Sequence, residues 1–391
     1  MTLGEAELMD GEMAFEMLNL IYHESAKRGE RGRLAELVAA LQEHRPEAYD
    51  QKRHYFLSWQ IGDALASGSL EALPKPVQEL AGIAERDIDL FDNVLDQLAY
   101  HGQLALLVEA VRMSWPQIEE GKGIVPWGVH AFAHQASAYE IFDYVERAPS
   151  PDAGDPELPA RLETYLKVDP QGLAQELAYL SGGVKRDWTV DDFQLPPPAE
   201  AEDDVLWDDE AHHLDSEEDE DDEGSADEAE GRRNLLYLSH EFLGYLRRDE
   251  GVPYPKGELA REQLCSYLLK RHAGELEHWE SPLGALASNP KRKPKRGTPR
   301  ADHPLCPDQG TLDRFFGGLL NFFNPQHYKA VATFELIPAW LRFLISRRLL
   351  GTAKGEQALQ ELKPLHAGLL EFYRNYSSDP ALKQELERWP E

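Results

Sequence analysis

An all-α protein is expected: a helix-turn-helix repeat solenoid followed by a C-terminal helical bundle, with an acidic disordered insertion between them. Three observations predict it. Apolar residues recur at spacings of three, four and seven, the period of a helix buried along one face. Strand-like alternation is almost absent, and Val and Ile are sparse beside Leu, Ala and Glu. The tripeptide Gly-x-Leu heads three successive helical patterns, as Gly32-Arg33-Leu34, Gly68-Ser69-Leu70 and Gly102-Gln103-Leu104, at spacings of 36 and 34 residues. That is the length of one helix-turn-helix unit.

The first half, residues 1–147, carries the repeats. Leu34, Leu37, Val38 and Leu41 share one helical face, as do Phe91, Val94, Leu95 and Leu98. Leu104, Leu107, Val108, Val111, Trp115 and Ile118 make a longer stripe. Pro46, Pro126 and Pro156 stand where helices can start, because proline is tolerated in a first turn. Gly102 follows the end of one amphipathic run and precedes the next, so it is expected to supply the left-handed backbone that stops a helix.

The period of about 34 and the small-residue turn between paired helices resemble the tetratricopeptide-like repeat superfamily over roughly residues 10–145. The resemblance implies stacked helix pairs sharing one continuous core, and it implies no binding residues. The chain departs from the family's pattern in lacking its Trp, Leu-Gly and Tyr positions. Leu37, Leu73 and Leu107 stand where a small residue is usual.

Residues 148–195 begin with a Pro/Asp/Gly-rich break and continue into a short helical stretch around Leu173, Leu177 and Leu180. Residues 196–231 are the acidic linker. Of the net charge of −31, residues 200–230 hold 18 acids and no Lys or Arg, leaving −13 on the rest. Such a run repels itself and stays extended. Helix is expected again over 232–280, a basic loop over 281–307, and a bundle over 308–391. In the bundle, Leu312, Phe315, Phe316, Leu319, Leu320 and Phe323 form one face; Leu341, Leu344, Ile345 and Leu349 a second; Leu359, Leu362, Leu369 and Tyr373 a third.

Composition bounds the function. A hydrophobic content of 42% supports a core and excludes global disorder. The first residues carry no basic, cleavable apolar leader, and no apolar run reaches the roughly 18 residues of a membrane span. Two cysteines, Cys265 and Cys306, fit a reducing compartment, so a cytoplasmic protein is expected. The overall acidity disfavours sequence-blind nucleic-acid binding by the whole surface.

The leading expectation is a non-enzymatic interaction module or scaffold. Aromatics crowd residues 115–144, and Trp and Tyr dominate protein-binding hot spots. Trp115, Trp127, His130, His134 and Tyr139 are therefore the candidate partner-binding residues, with the charged segments tuning access. The alternative is a nucleic-acid-associated protein that contacts phosphates through Lys291, Arg292, Lys293, Lys295, Arg296 and Arg300. A third reading is an enzyme without a recognisable motif. No metal or cofactor is expected. His130 and His134 have a zinc-compatible spacing but no third ligand, and there is no Gly-rich phosphate loop, nucleophile elbow or dinucleotide fingerprint.

Overall fold

Seventeen α-helices and three 3-10 turns make up the regular structure among the described residues, and no strand occurs among them. The computed structural model describes residues 11–28, 32–121, 126–148, 155–183, 186–194, 226–276, 303–321, 324–376 and 379–390. Most of the acidic tract, and the basic loop with Lys291, Arg292, Lys293, Lys295, Arg296 and Arg300, lie outside them. Among the described residues no helix is long and apolar enough to cross a membrane.

In chain order the helices are α1 (Gly11–Arg28), α2 (Gly32–His44), α3 (Pro46–Gln51), α4 (Arg53–Ser67), α5 (Pro74–Ala81), α6 (Ile88–Tyr100), α7 (Leu104–Glu119) and α8 (Pro126–Arg147). Then come α9 (Glu157–Leu162), α10 (Pro170–Ser181), α11 (Ala226–Asp249), α12 (Tyr254–His272), α13 (Gln309–Leu319), α14 (His327–Ser346), α15 (Thr352–Glu361), α16 (Lys363–Tyr376) and α17 (Pro380–Arg388). Short polar side chains start several of them. Asp87, Asp169, Asp308 and Asp379 accept backbone N–H groups in the first turns of α6, α10, α13 and α17.

The glycine punctuation divides. Gly68 and Gly102 hold φ of 71° and 67°, the left-handed backbone that ends α4 and α6. Gly68-Ser69-Leu70 heads only a 3-10 turn, Leu70–Ala72, because the next α-helix restarts at Pro74. Pro74 and Pro76 lack an amide hydrogen and fit only a first turn. The third face expected in the bundle is likewise two helices, α15 and α16, with Pro364 in the first turn of the second. Helix α11 begins at Ala226, inside the segment expected to be extended linker.

Neighbouring helices pack in sequence: α4 on α5 and α6, α5 on α7, α7 on α8, α10 on α11, α11 on α12. A small apolar cluster unites α1, α2 and the start of α4, where Phe15 and Tyr22 stack on Trp59 at 6.0 and 4.8 Å between ring centres. Almost all other buried apolar side chains among the described residues share one core, which runs from Leu57 through Trp389 and so includes both halves.

The halves meet along a seam where α6 lies against α12 and α14. Tyr100 donates to Glu335 at 2.8 Å, and Lys256 reaches the same carboxylate at 2.5 Å while lying 4.3 Å over the Tyr100 ring. At the next residue, His101 Nε2 lies 2.8 Å from Asp379 Oδ2, which also accepts from Tyr328 at 3.0 Å. Burial works against the Asp379 charge, but His101, the Ala381 amide and Tyr328 hold its pKa below the ordinary carboxylate value. Gly102 completes the seam: a Cβ there would meet Pro253 Cγ at 2.9 Å.

Candidate functional site

A cleft of about 1010 Å³ opens beside that seam, between α8 and α10 on one side and α11, α12 and the starts of α6 and α14 on the other. Its lining holds six carboxylates, Asp89, Asp92, Asp169, Glu176, Glu258 and Glu262, against three cations, Lys167, Arg261 and Lys329. His134 and His240 also line it.

Several of these charges neutralise one another. Arg261 grips Glu258 with Nε and Nη2, at 2.6 and 2.5 Å, and donates through Nη1 to Ser239 at 3.2 Å. This fork-to-carboxylate pairing is the strong, geometrically specific kind. Burial opposes both charges, yet each partner sustains the other: the Glu258 pKa falls and the Arg261 pKa rises. Lys329 lies 3.8 Å from Asp92 and 3.5 Å from Asp96, which is buried beneath the cleft. Burial and the Asp92 charge push Asp96 well up, against the pull of Lys329. Asp169 is occupied in capping α10, accepting from Gln171 N and Gly172 N.

Asp89, Glu176 and Glu262 form no direct ion pair among the described residues, although Arg261 acts on Glu176 and Lys329 on Glu262 from a distance. Glu176 is partly buried; burial, with Glu258 nearby, lifts its pKa to about 7 although Arg261 pulls it down. Glu262 is open to the cleft's solvent but walled by protein, and its pKa rises through burial against the pull of Lys329. His240 is held neutral. Burial and then Arg261 lower its pKa to about 4, and its Nδ1 is buried without a hydrogen-bond partner. A carboxyl with a pKa near neutrality can take up or release a proton there, and an open carboxylate can hold a cation.

The residues singled out from the sequence divide around this cleft. Trp127, at the start of α8, is 74% exposed and lines it. His134, one helical face along, lines it too, and its Nε2 lies 3.0 Å from that of exposed His130. Burial first, then His130, lowers the His134 pKa. Trp115 and Tyr139 are corrected from surface to core. Trp115 is buried, stacked on Phe132 at 6.4 Å and edge-on to Tyr165 at 5.3 Å. Tyr139 is 2% exposed, and burial raises its pKa well above the usual value. An aromatic-rich helix buries the stripe that meets its neighbours, and only Trp127 lies in the first turn, beyond that stripe.

Sequence reasoning missed Glu176, His240, Glu258, Arg261, Glu262 and Lys329. Their only local signal is Glu258-x-x-Arg261-Glu262, which reads as an ordinary solvated helix face. Among the described residues no group of three or more His, Cys, Asp or Glu is placed to hold a metal ion. Cys306 is buried, Cys265 is partly so, and burial raises both thiol pKa values. No protein-family model matches this chain, and comparison with curated proteins and with solved structures finds no match.

Proposed function

We propose that the chain is a non-enzymatic interaction module that docks a partner protein over the cleft, with Trp127, His130 and His134 at its edge. The observation that carries this reading is an exposed tryptophan beside a large concave surface on which three of six carboxylates, Asp89, Glu176 and Glu262, form no ion pair among the described residues. An exposed Trp at the lip of a partly apolar concavity is the composition of a protein-binding hot spot. The tetratricopeptide-like resemblance supports the same reading, because repeat stacks present extended concave surfaces. The acidic tract and the basic loop tune access to this surface. A cytoplasmic setting accords with the two unpaired cysteines.

Capture from a lysate of the native host tests the proposal, using the full chain and its Trp127→Ala variant at low and moderate salt. A stoichiometric protein retained at moderate salt by the wild type and lost by the variant is the expected result. Recovery of only nucleic acid, released by salt and indifferent to Trp127, would replace this reading with the phosphate-binding one for residues 291–300.

A further inference from the structure

We infer, on the reading that this chain docks a partner protein, that the cleft receives one basic side chain of that partner, an arginine guanidinium or a lysine ammonium, seated against Glu176 and Glu262. The argument is one of charge and space. Arg261 is committed to Glu258, Lys329 to Asp92 and Asp96, and Asp169 to its own helix. Lys167 is exposed and forms no ion pair among the described residues. Glu176 and Glu262 therefore line the cavity with no hydrogen-bonded cation of their own among the described residues, and a partly buried carboxylate gains from one that reaches it directly. Burial and the Glu258 charge raise the Glu176 pKa to about 7, and a cation seated against it would bring that value down.

Two further features select the occupant. His240 is neutral at physiological pH, so it adds no positive charge to that of Arg261 and Lys329, which are already offset by Glu258, Asp92 and Asp96. The volume of about 1010 Å³ lies at the upper end of small-molecule pockets, which span roughly 300–1,000 Å³, and a lone amine fills only part of it. A side chain carried on a peptide segment fills the remainder with its backbone and neighbours. Trp127 at the edge offers that segment an aromatic face, favourable to a cation or to its aliphatic stem.

The test is calorimetric titration of the full chain with short polar peptides that differ only at a central Arg, Lys or uncharged citrulline. Spermidine is titrated in parallel. The Arg and Lys peptides are expected to bind at least about tenfold more tightly than the citrulline peptide. Glu176→Gln should remove most of that preference and Glu176→Asp restore part of it, with the fold of each variant checked by its denaturation midpoint. Equal binding of the citrulline peptide overturns the inference, as does indifference to both Glu176→Gln and Glu262→Gln. Spermidine binding more tightly than the Arg peptide assigns the seat to a free amine and overturns the partner-borne source. Peptide binding that appears only after deletion of residues 285–300 assigns the seat to this chain's own basic loop, and likewise overturns the partner-borne source. Lysate capture separates the two levels. Capture lost in Trp127→Ala but intact in Glu176→Gln leaves the docking module standing and removes the cation seat.

Discussion

The seam and the cleft draw on the same three helices, α6, α12 and α14, yet they treat charge in opposite ways. At the seam, every buried ionisable group described above has a partner: Lys256 and Tyr100 converge on Glu335, His101 and Tyr328 on Asp379. A few turns along α6 and α12, Asp89 and Glu262 form no ion pair among the described residues, and neither does Glu176 on α10 across the cleft. Satisfied polar networks hold a fold together; polar groups left incomplete in a concave surface mark where something else completes them. Of two charged regions built on shared helices, the paired one is architecture and the unpaired one is the place to look for function.

The largest effect is expected at Glu335. Glu335→Leu leaves Lys256, with 14% side-chain exposure, as an unpaired buried charge and deprives Tyr100 of its acceptor. We expect a loss of about 3–5 kcal/mol in urea denaturation, and a near-neutral result would erase the distinction between seam and cleft. Gly102→Ala comes next, at about 2 kcal/mol, because it combines a left-handed backbone with a 2.9 Å approach to Pro253. Gly68→Ala is its control: the same backbone with open space around it, expected at about 1 kcal/mol.

The cleft should respond in the opposite sense. The folded pKa of Glu176, about 7, lies above its unfolded value near 4.5, so its contribution is fully present below pH 4.5 and eroded as pH rises through 7. Glu176→Gln should therefore stabilise the protein at pH 8, by about 1–2 kcal/mol, and change little at pH 4. His240 bounds the acid side. Its folded pKa of about 4 lies below 6.5, so its contribution is present above pH 6.5 and lost as pH falls through 4. His240→Gln should flatten that acid limb in a pH series of melting temperatures. The smallest effect is expected from Trp127→Ala, within about 0.5 kcal/mol of wild type in stability because the ring is exposed, while partner capture is lost.

Local features of the fold were legible where one residue decides the backbone. Pro46 and Pro126 open α3 and α8 as expected, and Gly102 ends α6. The continuity of the core across both halves was not legible, because periodicity reports that a face is buried and not which helix covers it. For the same reason Trp115 and Tyr139 read as surface while Trp127 did not stand apart from them. The cleft was less legible still. Glu176, His240 and Arg261 sit on three helices, and each is ordinary in its own segment; only tertiary packing brings them together, removes water from them and leaves Glu176 without a direct ion pair.

The contact between His101 and Asp379 spans 278 positions of the chain. On a ribosome adding roughly 5–20 residues each second, the imidazole waits on the order of tens of seconds for its carboxylate. Until then the end of α6, with Tyr100 and the turn at Gly102, presents an unfinished polar face to whatever is nearby. The helices that precede the seam can stack as they emerge, but the seam closes only after Asp379 has been made, and the newborn chain must be kept from finding a substitute in the interval.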